Sequence, residues 1–171
     1  DAAERAAGLV AAAVARTDNA YLLAKGLDDT RALTLAAGVR CGGVAFQAGD
    51  LLVPLTDSEG GVVNVQLINA AGDKRTLPDG RVKGSFHLCG VPDGKTLWLT
   101  EGVATGLTVH RLTGQAAQAL LQFVLVDRKS AHDAKSVRCD ERPAFYAKNP
   151  RCGTALVARE LACLLYTSDA A

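Results

Sequence analysis

The hydrophobic pattern changes period near Trp98, and that change decides what the chain can fold into. Over residues 44–88 apolar and polar side chains alternate in short runs, the signature of half-buried antiparallel strands. Leu51-Leu52-Val53-Pro54-Leu55, Val63-Asn64-Val65-Gln66-Leu67-Ile68, Lys74-Arg75-Thr76-Leu77 and Val82-Lys83-Gly84-Ser85-Phe86-His87-Leu88 are four such runs. Asp57-Ser58-Glu59-Gly60-Gly61, Ala71-Gly72-Asp73 and Pro78-Asp79-Gly80 supply the turns between them. Pro54 has no N–H for a ladder and predicts an edge or bulge position. Beyond Thr96 the pattern differs: Leu97-Trp98-Leu99 is the apolar run of a buried strand, then Glu101-Gly102, then a helical pattern over residues 103–112. The fold class is α+β, with an N-terminal helix, an antiparallel β-meander, and a small α/β sheet that opens at Glu101.

Ahead of the meander, residues 2–16 are Ala-rich with a stripe of Leu9, Val10 and Val14, which predicts a helix. Residues 19–27 predict a shorter helix closed by Gly26, with Lys25 exposed at its end. There Lys25 either answers the helix dipole or contacts a phosphate. Among the 171 residues 49% are hydrophobic and 22% charged, the balance of a globular chain. No apolar run approaches the ~20 residues of a membrane span and no secretory signal stands out, so a cytoplasmic protein without a membrane partner is expected. Net charge is +1, so any nucleic-acid surface must be a local patch. The five cysteines include no Cys-x-x-Cys pair, which argues against zinc in this chain and for free thiols.

Glu101 is the residue on which chemistry is expected to turn. Ligands of α/β sheets bind at the carboxyl ends of strands, and Gly102 lets the backbone turn sharply there. The plain alternative is a carboxylate that caps the helix or faces water. Lys74, Arg75, Arg81 and Lys83 fall within ten residues on adjacent strands and could share one surface, though exposed basic strands are commonly only solvated. His87, between Phe86 and Leu88, reads as structural.

The strand–Glu101–Gly102 unit, followed by Ala104-Thr105-Gly106-Leu107-Thr108-Val109-His110-Arg111-Leu112-Thr113-Gly114, resembles the first motif of a TOPRIM domain. The likeness is nearest to the primases of mobile elements, conjugative plasmids and phages. Asn19-Ala20-Tyr21-Leu22-Leu23-Ala24-Lys25-Gly26 resembles their Pro-Tyr-Leu-x-x-Lys-Gly stretch, with Asn19-Ala20 in place of His-Pro. The meander resembles the basic subdomain that precedes TOPRIM, which divides the chain into residues 1–90, a TOPRIM-like part over 91–165, and a tail.

That resemblance implies a DNA primase core that makes short RNA primers on single-stranded DNA by nucleotidyl transfer. The implied cofactor is Mg²⁺ or Mn²⁺, held by Glu101 and Asp140, with Glu101 also the catalytic acid or base. Lys25, Lys74, Arg75, Arg81 and Lys83 would hold the template and nucleoside triphosphates, and a helicase is a further partner in a full-length protein of this kind. A TOPRIM nuclease or topoisomerase-like protein and a non-catalytic nucleic-acid-binding remnant are the competing classes.

After Gly114 the resemblance departs from the family pattern. No Gly-Asn-Leu turn follows, and Arg142 stands where the second carboxylate of an Asp-x-Asp strand end belongs. Residues 149–155, with an expected helix over 156–165, resemble the next family element. The last residues, 166–171, look like the ends of environmental reading frames and are expected to be disordered. With no Met and a start at Asp1, the chain reads as a fragment, in which residues past 114 are either degenerate or from a shifted frame.

Overall fold

The computed structural model describes residues 1–94, 96–120, 146–149 and 153–158. Helix α1 (Ala2–Ala12) starts with a capping box: the Asp1 carboxylate accepts from the Ala3 and Glu4 amides, and Glu4 reaches back to Asp1. The expected helix over residues 2–16 is therefore too long. Ala13 is already extended, and Val14–Arg16 form strand β1. Val14 is β-branched and finds a partner in β2 (Ala32–Thr34), whose Thr34 hydroxyl donates to the Val14 carbonyl at 2.8 Å. Between them lies α2 (Ala20–Ala24), capped by the Asn19 side chain and ended at Gly26 in the left-handed region, φ 73°.

Strands β3 (Val39–Cys41) and β4 (Val44–Phe46) form a separate hairpin. Strands β5 (Leu51–Thr56), β6 (Val62–Ile68) and β7 (Lys74–Thr76) are the expected meander, and they complete an antiparallel sheet in the order β1-β2-β5-β6-β7. Both faces of this sheet are covered. Leu52, Val65 and Leu67 pack with Ala6 of α1 and Phe46 of the hairpin, while Leu51, Val53, Leu55 and Ile68 pack with Tyr21 and Leu22 of α2. Asn64 is fully buried within it and satisfied, accepting from the Val65 and Leu77 amides and donating to the Leu77 carbonyl.

The fourth expected strand of the meander is not there. Residues 82–85 close a turn through Gly84 (φ 74°), and Ser85 binds the Val82 carbonyl with both its amide and its hydroxyl. Phe86 makes one bridge to Thr56, and the chain then leaves for a second sheet as β8 (His87–Cys89). That sheet continues with β9 (Leu97–Thr100), α3 (Val103–Thr113) and β10 (Ala116–Ala119), where β9 and β10 run parallel on either side of the helix connection. Strands β11 (Tyr146–Asn149) and β12 (Gly153–Ala158) complete the order β11-β12-β9-β10-β8, with β12 antiparallel to β9. The helix expected over residues 156–165 is thus a strand at Leu156–Ala158, where pairing with β9 settles the conformation; residues 159–165 lie outside the described part. One core joins both sheets, since Cys89, Val103, Ala117 and Ala119 cluster with Leu51, Val53 and Leu55.

Candidate functional site at the carboxyl edge of the second sheet

The unit β9–α3–β10 has the form anticipated around Glu101. Thr100 ends β9, Glu101 follows it and is exposed, and Gly102 is the N-cap of α3 with no side chain capping the helix. Glu101 is therefore not a helix cap, and it makes no hydrogen bond or ion pair among the described residues. The helix ends at Gly114 in the left-handed region, whose amide donates to the His110 carbonyl. The close seat of α3 on the sheet comes from Gly106: a Cβ there would lie 3.0 Å from the Cys89 sulfur and 3.1 Å from the Thr100 hydroxyl.

The register sets what stands beside Glu101. Thr100 pairs with Ala119 and Ala119 with His87, so His87 lies at the same carboxyl edge, two strands across. His87 is half-buried and donates Nδ1–H to the Pro54 carbonyl at 3.0 Å, because a carbonyl can only accept. Burial pushes its pKa down, and the Pro54 bond opposes that shift in part. The structural reading of His87 holds for Nδ1. A cleft of about 160 Å³ opens beside it, with Arg31 and Leu33 on one side and Val103 and Leu107 of α3 on the other.

The basic residues do not form a single face. Lys25 and Lys74 converge: each ammonium lies 5.6 Å from the centre of the Tyr21 ring, a pair of cation–π contacts between α2 and β7. Arg75, next in β7, turns away to the hairpin, where it donates to the Gly42 and Lys74 carbonyls. Arg81 is paired with Asp57 at 3.0 Å, at the other end of β5 from Leu51 and Lys74 and about 17 Å along the strand. The Asp57 carboxyl is held below its usual range by the Gly61 amide first, with Glu59 and Arg81 adding to it. Lys83 is exposed in the turn over residues 82–85.

Glu101 is likewise apart from Lys25. Arg111 binds the Gly26 carbonyl at 2.6 Å and Asp29 at 3.1 Å, which fixes the Lys25–Gly26 turn at the C-terminal end of α3, about 16 Å along the helix from Glu101. Asp140 lies outside the described residues. Among the described residues no three His, Cys, Asp or Glu side chains gather as a metal site. Cys41 and Cys89 are buried free thiols, and burial pushes Cys89 up to about 12. Among the described residues no helix is long and apolar enough to cross a membrane.

Sequence reasoning did not single out Arg31, the Tyr21 platform or the cleft at His87. Pro54 was the signal for the last of these, as a strand residue without a donor. No protein-family model matches the chain, and no solved structure matches it.

Proposed function

We propose that this chain is part of a DNA primase core of TOPRIM type, which joins nucleotides into short primers on single-stranded DNA. The observation that supports this reading is the β9–Glu101–Gly102–α3–β10 unit: an exposed carboxylate, unpaired among the described residues, at the carboxyl end of a strand and beside a helix start that no described side chain caps. Such an edge suits phosphate chemistry, because the amides of a helix start attract anions and a carboxylate there can take or give a proton.

Magnesium, when bound, would offset charge on the transferred phosphoryl group. Glu101 would hold it from this edge, and Asp140 is the second carboxylate in the sequence for that purpose. The Lys25–Tyr21–Lys74 cluster and Lys83 offer cations with no carboxylate partner among the described residues for a phosphate backbone, whereas Arg81 is already paired with Asp57. A TOPRIM nuclease is the second reading, because the same exposed Glu101 edge suits phosphodiester cleavage; a non-catalytic DNA-binding remnant is the third. Incorporation of labelled ribonucleotides on single-stranded DNA with Mg²⁺ tests the proposal. Nicking of supercoiled DNA without incorporation would assign the chain to the nuclease class, and DNA binding with neither activity to the remnant.

A further inference from the structure

The chain carries the same tripeptide twice, Pro78-Asp79-Gly80 and Pro92-Asp93-Gly94, each after an aliphatic residue and before a basic one. The fold holds the two copies differently. In the first, the Gly80 amide donates to the Leu77 carbonyl and closes a four-residue turn. The proline ring keeps φ of Pro78 negative while Asp79 has φ 62°, so this is a type II turn with aspartate where glycine is favoured. Asp79 is the one non-glycine residue with positive φ among the described residues. In the second copy the left-handed residue is Gly94 (φ 74°), which bears no steric cost there.

The two carboxylates differ as well. Asp93 Oδ1 accepts from the Thr96 amide at 3.1 Å, which ties that side chain into its loop. Asp79 is exposed and makes no hydrogen bond or ion pair among the described residues. The residue after it has to be glycine, because a Cβ at Gly80 would collide with the amide of the buried Asn64. The Gly80 amide is loosely held: its bond to Leu77 is 3.4 Å long, against the usual ~2.9–3.0 Å. An unengaged carboxyl thus stands beside a weakly bonded glycine nitrogen in a strained turn.

We propose that Asp79 is a modification site, at which the folded chain converts to isoaspartate faster than at Asp93. The Gly80 nitrogen gives up its proton and bonds to Asp79 Cγ; the C–OH bond of the carboxyl group breaks, and one water leaves. The product is a succinimide. Water then adds to one of its two carbonyls and the C–N bond there breaks, which restores aspartate or leaves isoaspartate with the main chain running through Cγ. Water is the only other reactant. Leaving the left-handed conformation releases strain that Asp93 does not carry. Isoaspartate lengthens the turn by one backbone carbon, which loosens the Leu77–Gly80 closure and the neighbouring Arg81–Asp57 pair. None of these steps depends on the nucleotidyl-transfer reading.

Ageing of the whole chain at neutral pH, folded in buffer and unfolded in urea, tests this. Trypsin releases the two sites on separate peptides, residues 76–81 and 84–95, and electron-transfer fragmentation tells isoaspartate from aspartate in each. In buffer, isoaspartate is expected at Asp79 about fivefold or more faster than at Asp93, the factor that the cost of one left-handed residue supplies. In urea, where neither turn persists, the two rates should converge. Asp79→Gly suits the φ of 62° and should melt no lower than wild type while yielding no isoaspartate on residues 76–81. Absence of isoaspartate at Asp79, equal or faster ageing at Asp93 in buffer, a preference for Asp79 that persists in urea, or a lower melting temperature for Asp79→Gly would overturn it.

Discussion

The two sheets bury different side chains. In the first, Leu51, Leu52, Val53, Leu55, Val65, Leu67 and Ile68 are each no more than 2% exposed, and helices or the hairpin cover both faces. In the second, β10 contributes Ala116, Ala117 and Ala119, β8 contributes Cys89, and α3 meets them through Gly106. Burial scales with apolar area, so among the described residues the first sheet gains more from its large side chains. The second gains a close helix and a short connection, which place Glu101 at an open edge. Large residues fill the first sheet, whereas in the second the buried Leu97 and Leu99 are joined by small residues that let α3 sit close.

The largest expected effect is in the first sheet. Leu67→Ala should cost about 2–5 kcal/mol in denaturant unfolding, the range for a cavity left in a covered core. A loss below 1 kcal/mol would break the contrast between the sheets. In the second sheet the danger is added volume. Gly106→Ala should destabilise by about 1–3 kcal/mol, because its Cβ meets Cys89 and Thr100. Gly8→Ala in α1, with nothing within 4 Å, should instead stabilise by about 0.5–1 kcal/mol through helix propensity. If both glycines respond alike, close packing does not set the seat of α3.

The junction between the sheets should respond to pH through His87. Its folded pKa is depressed by burial, so the unfolded chain takes up the proton first as pH falls. The stability linked to neutral His87 is fully present above the ordinary value of 6.5 and is lost as pH falls through the lower folded value. Thermal melts between pH 7.5 and 5 should show this loss in the wild type and a smaller one in His87→Gln; parallel curves would contradict it. The smallest effect belongs to Arg81→Ala. The Asp57 pair is exposed, so about 0–1 kcal/mol is expected, shrinking further in salt.

Local chemistry was legible in the sequence wherever one signal decided the outcome. Gly26 ends its helix, the period of two placed β5 and β6, and the apolar run before Glu101 gave β9. What escaped was decided by distant partners. Val14 leaves the Ala-rich helix because β2 offers it a ladder, and residues 82–86 lose their strand because β8 is claimed by β10. Basic residues close in sequence were expected to share a surface, yet alternation turned Arg75 from Lys74, and Asp57 held Arg81 at the far end of β5. Pro54 pointed to an edge or a bulge, yet β5 lies inside the sheet with its register shift at Leu55/Thr56, and only the fold shows that His87 takes the Pro54 carbonyl.

The central claim is that Glu101 serves chemistry at an edge whose stability comes from elsewhere. Ribonucleotide incorporation on single-stranded DNA with Mg²⁺, measured for wild type and Glu101→Gln beside their melting curves, tests it most directly. The prediction is a fall of about 100-fold or more in incorporation, with stability within about 0.5 kcal/mol, since Glu101 is exposed and touches no described partner. Undiminished incorporation by Glu101→Gln, or a loss of activity matched by a loss of stability, would contradict it.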